Sequence, residues 1–166
     1  MKYSFTSRIR YSEIGEDGCL TLPGLINYFQ DCSTFQSEAI GEGVAELKKR
    51  GCAWVLSAWQ IHIRRYPSLG EAVKITTWAN GFRGFLGMRT FTLETEEGEM
   101  LACANSIWSY VNMKTGHPVR APKETMDAYG VEDPLDEEFG ERKVKMPEAD
   151  SVSYTHLRAH ETLMNL

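Results

Sequence analysis

Four long β-rich stretches, 53–66, 72–79, 85–96 and 99–113, follow one another with only short turn-forming segments to join them. The separators are Pro67-Ser68-Leu69-Gly70, Asn80-Gly81 and Glu97-Gly98, with Lys114-Thr115-Gly116 closing the last stretch. A parallel neighbour needs a crossover of about a dozen residues or more, so connections this short demand antiparallel pairing in a meander. Ahead of the strands lies one strong helix signal. Pro23 suits a first helical turn, and Leu22, Leu25, Ile26, Phe29, Cys32, Gln36, Ala39 and Ile40 recur at three- and four-residue steps up to Gly41. That spacing predicts an amphipathic helix of about five turns. Tyr3, Phe5, Ile9 and Tyr11 alternate with mostly polar residues and predict a half-buried opening strand. A shorter helix is predicted from Val44 to Arg50, stopped by Gly51, with Lys48, Lys49 and Arg50 at the negative end of its dipole.

One strand, one long helix and four antiparallel strands form an α+β plan: a curved antiparallel β-sheet wrapped around one long α-helix, the hotdog fold. Within 53–66, Val55, Trp59, Ile61 and Ile63 share one face and Gln60, His62 and Arg64 the other, after the apolar pair Trp54 and Leu56. The strand is therefore expected to start buried on both faces and end buried on one. Ala102, Ala104 and Ser106 give the last strand a face of small side chains, expected to let a helix approach closely. Pro122 with 123–129 predicts a further short helix. Residues 1–130 are read as one domain, and the acidic, turn-rich stretch 131–150, with Pro134 and Pro147, as an interdomain linker.

Bulk properties narrow the function classes. A net charge of -5 and a pI of about 5.4 exclude a global positive field that would draw the molecule to nucleic acid or an anionic membrane. Cys19, Cys32, Cys52 and Cys103 are scattered and form no C-x-x-C pair, which points to reduced thiols and a cytoplasmic location. No apolar run reaches the roughly 20 residues of a membrane-spanning helix.

From Arg8 to about Pro122 the sequence resembles the first hotdog domain of the acyl-carrier-protein thioesterases of bacteria and plant plastids. The resemblance rests on Trp54-Val55-Leu56, the run from Ile61 to Glu71 that contains Arg64-Arg65-Tyr66-Pro67, Trp78, Gly87-Met88-Arg89, Ala104-Asn105-Ser106-Ile107-Trp108 and Thr115-Gly116-His117-Pro118, in that order and spacing. It implies hydrolysis of the thioester between a fatty acyl chain and acyl carrier protein, in fatty acid biosynthesis, with no cofactor and no metal. It also implies two hotdog domains, the first supplying most of the acyl tunnel. The second holds Asp, Asn and His in an Asp-x-Asn-x-His stretch before its own long helix. The matching stretch here, Tyr11 to Leu20, departs from that pattern: Cys19 stands where a His would be, so no imidazole is available to activate water.

On these terms this chain is expected to be the acyl-binding half and to lack catalysis by itself. Phe29, Phe35, Trp54, Leu56 and Trp108 are the candidates for contact with the acyl chain. Arg64, Arg65, Arg83 and Arg89, together with Lys48, Lys49 and Arg50, are the candidates for docking the acidic carrier protein. Glu13 and Asp17 remain as fallback catalytic carboxylates, and acidic residues there also suit turn chemistry and the start of a helix. Two other readings stay open: a single-hotdog acyl-CoA thioesterase using Glu13, Asp17 or Glu38, and a non-catalytic acyl-binding or dimerising module. A lone hotdog leaves a sheet edge bare, so a homo-oligomer or pairing with a second hotdog domain is expected. Beyond Asp150 the family pattern stops. The stretch 151–166 resembles translated sequencing-adapter DNA and is expected to be a non-native scar, in which the His156 and His160 pair is accidental.

Overall fold

The computed structural model describes residues 1–140 of the 166-residue chain. Strand β1 (Tyr3–Arg8) leads through a 3-10 turn (Tyr11–Glu13) into helix α1 (Leu22–Ala39), followed by α2 (Val44–Arg50). Then come β2 (Cys52–Ile63), β3 (Ala72–Arg83), β4 (Leu86–Thr95), β5 (Met100–Asn112) and the short helix α3 (Lys123–Tyr129). The five strands form one sheet in the order β1-β3-β4-β5-β2, antiparallel at every pairing. This is the hotdog fold.

Helix α1 begins where Thr21 accepts a hydrogen bond from the Gly24 N–H, with Pro23 in its first turn. Its buried face carries Leu25, Tyr28, Phe29, Cys32 and Gln36. Phe29 meets Phe91 and Trp59 at centroid separations of 5.1 and 5.9 Å, and those two rings lie 5.0 Å apart. Burying a ring of this size contributes about 2–3 kcal/mol. The small face of β5 serves a different end from the one its composition suggested. Helix α1 runs against β3 and β1, and Ala104, registered with Phe91 and Ile61, leaves room for rings rather than for helix backbone.

Three strand expectations change. The Asn80-Gly81 pair is a β-bulge inside β3, and the hairpin turns at Gly84-Phe85, where Gly84 adopts φ 64°. Tyr11 is 82% exposed, because the chain leaves the sheet after Arg8. In β2 a bulge between Leu56 and Ala58 switches the side-chain parity. Trp54 and Leu56 therefore share the inward face with Trp59, Ile61 and Ile63, while Val55 points out at 45% exposure. The strand does not start buried on both faces.

The outer face of the sheet is covered as well. Thr90, Thr92 and Cys103 alternate with the inward Phe91 and Ala104, yet all three are buried. Residues 131–140 run across this side. The Glu132 N–H donates to the Ala79 carbonyl (3.0 Å), Trp78 Nε1 donates to the Asp133 carbonyl (2.9 Å), and Glu137 pairs with His62 (3.0 Å) and Arg64 (2.9 Å). The stretch expected to be a linker thus lies along the sheet over 131–140. Its remainder, 141–150, and the expected scar at 151–166 fall outside the described residues.

Two polar clusters tie the periphery to this frame. Glu13 accepts from the Arg10 N–H (2.9 Å), Arg10 Nε (2.8 Å) and the Tyr28 hydroxyl (2.7 Å), joining the turn after β1 to α1. Burial pushes the Glu13 carboxyl up, but the combined hydrogen bonds and the Arg10 charge outweigh it and hold the group below its ordinary value. Glu42, 5% exposed, accepts from Arg50 Nη1 (2.8 Å) and the Thr125 hydroxyl (3.0 Å), joining α2 to α3.

A depressed carboxyl stabilises the fold above its ordinary pKa, and that stability is lost as pH falls through the lower folded value. Tyr28→Phe removes one of the bonds responsible, so acid unfolding followed by circular dichroism should begin at a higher pH than in the parent chain. An unchanged acid limb would rule out Glu13 as a contributor. Glu42→Ala removes the buried carboxylate that joins Arg50 and Thr125, leaving Arg50 its weaker pair with Glu46 (3.3 Å); with Arg50 about a third exposed, the loss should be about 2 kcal/mol in urea denaturation.

Candidate functional site

At the end of the sheet where the β3-β4 hairpin, the start of β2 and the end of β5 converge, the structure holds a cavity of about 410 Å³. Helix α1 contributes Ser33, Thr34 and Ser37, α2 contributes Val44, Leu47 and Lys48, and α3 contributes Tyr129. From the sheet come Trp54, Phe82, Gly87, Met88, Arg89 and Trp108, and Met113 follows directly on β5. Val44 and Met113 are 63% and 60% exposed and mark the rim, whereas Arg89 and Tyr129 are buried and mark the floor.

The wall is built from the two bulges and the hairpin. The β2 bulge turns Trp54 inward to meet Tyr110 (4.9 Å) and Phe82 (6.1 Å), and the β3 bulge lets Phe82 register with Gly87. Gly87 is needed for its lack of a side chain. A Cβ there would lie 3.1 Å from Trp54 Cζ3 and 3.3 Å from Phe82 Cε1, tighter than ordinary contact. The floor carries a connected set of polar groups. The Tyr129 hydroxyl and Ser37 Oγ share a hydrogen bond of 2.8 Å, and Arg89 Nη1 donates to Gln36 Oε1 and to Thr77 Oγ1 (3.2 Å). Burial lowers the Arg89 pKa and raises that of Tyr129.

Among the acyl-contact candidates, Trp54 and Trp108 line this cavity. Leu56 shares their face of β2 and β5 without reaching it, and Phe29 lies in the central core beyond it. Phe35 does not fit the role: it is 44% exposed and packs edge-on against Phe5 (5.4 Å), because its position on α1 falls outside the buried stripe. Of the docking candidates, Arg89 is contradicted outright, since it sits inside the cavity at 8% exposure. Arg64 is paired with Glu137, Arg65 with Glu71 (2.8 Å) and Glu99 (3.1 Å), Lys49 with Glu46 (3.4 Å) and Arg50 with Glu42. Arg83 and Lys48 are exposed and make no ion pair among the described residues, and Lys48 stands at the cavity rim.

The fallback carboxylates are occupied by structure. Glu13 is committed to Arg10 and Tyr28, Asp17 Oδ1 accepts from the Cys19 N–H (3.0 Å) in a turn, and Glu38 Oε1 accepts from the Val44 N–H (2.9 Å) at the start of α2. Cys19 Sγ lies 4.0 Å from Ser68 Oγ. The Cys32 thiol, pushed up to about 12 by burial, is inert at neutral pH. Sequence reasoning did not find Phe82, Met88, Met113 or Tyr129. Gly87-Met88-Arg89 stood out as a motif, but nothing in local periodicity joins it to a helix some forty residues downstream.

Residues 1–129 match the acyl-ACP thioesterase N-terminal domain family. A chloroplastic acyl-[acyl-carrier-protein] hydrolase of Cuphea viscosissima is 34% identical over 124 residues, covering 70% of this chain and 30% of that protein. A chloroplastic palmitoyl-acyl carrier protein thioesterase of Gossypium hirsutum is 32% identical over 130 residues, covering 74% and 31%. The crystal structure of an acyl-ACP thioesterase from Bacteroides thetaiotaomicron superposes with a TM-score of 0.78 at 24% identity, covering 87% of this chain and 60% of that one, which shows a shared fold. The chain thus spans about a third of the length of the curated relatives it matches. On the match over 1–129, this chain belongs to the acyl-ACP thioesterase family and carries that family's N-terminal domain.

Proposed function

We propose that the cavity receives the acyl chain of a fatty acyl thioester carried on acyl carrier protein, and that this chain is the acyl-binding half of a thioesterase acting in fatty acid biosynthesis. The observation that carries the reading is the cavity itself: an apolar wall of Trp54, Phe82, Met88 and Trp108 opening at Val44 and Met113, inside the family's N-terminal domain. Each methylene removed from water there contributes about 0.8 kcal/mol, so the cavity's depth sets which chain lengths are held.

Hydrolysis needs a base for water and donors for the developing oxyanion. The carboxylates Glu13, Asp17 and Glu38 are held by backbone or side-chain donors, and no histidine lies in the loop of 11–20. We therefore assign the chemistry to a second hotdog domain that completes the enzyme, with 131–150 as the connection and 151–166 as foreign to it. Carrier-protein docking is assigned to Lys48 and Arg83, whose charges are unpaired among the described residues and of the right sign for an acidic partner. Free Cys19, Cys32, Cys52 and Cys103 suit a reducing compartment, which we read as the cytoplasm.

Two outcomes test this. Palmitoyl-pantetheine should raise the melting temperature of the chain, as any ligand selective for the native state does, while no free fatty acid appears by mass spectrometry. Turnover lost in Asp17→Ala would instead establish the single-hotdog enzyme. Gly87→Leu drives a side chain against Trp54 and Phe82, so it should weaken acyl binding by about 2 kcal/mol, roughly thirtyfold, in calorimetric titration. Equal affinity in the two proteins would place the acyl chain elsewhere.

A further inference from the structure

The least expected group in the cavity is Arg89. A guanidinium withdrawn from water normally finds a carboxylate, since an unpaired buried charge is strongly destabilising. None of the ion pairs among the described residues includes Arg89. The one carboxylate that lines the same cavity, Glu42, is already held by Arg50 and Thr125.

Arg89 Nη1 serves Gln36 and Thr77, and the guanidinium lies 5.2 Å from the centre of the Tyr129 ring. Nε and Nη2 donate to no protein atom among the described residues. They are also not among the side-chain atoms that are both sealed and unpaired, which are Trp54 Nε1, Trp59 Nε1 and Tyr110 OH. Both therefore keep accessible surface on a residue that lines the cavity. A side-on pair of N–H groups on one edge of a guanidinium matches the two oxygens of a carboxylate. Beside this edge, Met88, Trp54, Trp108 and Leu47 give the cavity an apolar wall.

We propose that Arg89 makes the cavity a site for an aliphatic carboxylate bound head inward, with its two oxygens on Nε and Nη2 and its hydrocarbon running past Trp54 and Trp108 toward Val44 and Met113. The inference rests on the reading of the cavity as an acyl site and adds a polar end to it. Two ligands share the chemistry: a free fatty acid entering head first, which would compete with the acyl chain of the thioester, and an acyl thioester whose far end bears a second carboxyl. A plain methyl-ended chain that reached the floor would strip water from the guanidinium without replacing it, so it is expected to stop short or bind more weakly.

The test uses the full chain and three probes that share a ten-carbon chain: decanoate, decanol and methyl decanoate. In calorimetric titration, decanoate should bind at least about tenfold tighter than the other two, as a charge-assisted pair requires. Arg89→Met should abolish that preference while leaving decanol binding intact. Equal affinities in the parent chain would overturn the proposal. Because Arg89→Met also removes the bonds to Gln36 and Thr77, a second measurement uses the parent chain alone. Carboxyl-labelled 13C-decanoate is followed by NMR from about pH 4 to about pH 8, across which a free carboxyl titrates. A bound carboxyl signal that stays constant supports the head-inward pose. One that titrates like the free acid overturns it while leaving the tail-inward acyl reading standing, and the absence of a bound signal with any probe overturns both. Comparing pantetheine thioesters of decanoic and decanedioic acids identifies the source. Tighter binding of the second assigns the site to carboxyl-ended substrates, and parity, with decanoate still bound, assigns it to the free acid.

Discussion

The packing of Phe29 against Trp59 and Phe91 is the contact on which the rest of the molecule depends. It is where the single long helix meets the curved sheet, and it joins β2 and β4 through one ring on α1. Ala102 and Ala104 have small side chains because bulkier ones would occupy the space those rings fill. Protein interiors tolerate neither voids nor overlap, so once these rings are seated the height of the helix above the sheet is set. The space left at the far end, where α1 runs out beyond Ser37, becomes the cavity.

The cavity is thus a consequence of helix length as well as of sheet shape. Helix α1 stops at Ala39 while β2, β3, β4 and β5 continue beyond it toward Cys52, Arg83, Leu86 and Asn112. The short helix α2 and Tyr129 of α3 cover what α1 leaves open, tied together by Glu42, Arg50 and Thr125. Two β-bulges matter for the same reason. Each inserts one residue, reverses the alternation of side chains, and turns Trp54 and Phe82 into the wall. The carboxylates Glu13 and Asp17, near the start of α1, are spent on holding turns.

Much of this was legible from residue order. The helix and five strands follow from periodicity and from the short separators, because antiparallel neighbours can be joined by turns that parallel ones cannot use. The motif run from Trp54 through Pro118 is sufficient to place the family, and two of the candidates for acyl contact, Trp54 and Trp108, line the cavity. Less was legible about exposure and roles. Phe35 looks equivalent to Phe29 in a helical pattern, and six residues at about 100° each bring it to a different side of the helix, facing Phe5 and solvent. Arg89 looks like any strand arginine until the register and its depth are known.

The set of elements, their antiparallel order and the kinship can be read from residue order alone, since these depend on local periodicity, turn chemistry and a linear motif. Which side chains meet is settled by the assembled fold. Whether an Asn-Gly pair turns or bulges, whether an arginine reaches solvent or a cavity floor, and whether residues 131–140 swing free or close the outer face of a sheet depend on contacts between segments far apart in the chain. Those contacts are selected by the need to fill space and to satisfy buried polar groups across the whole fold, and no window of sequence contains that information.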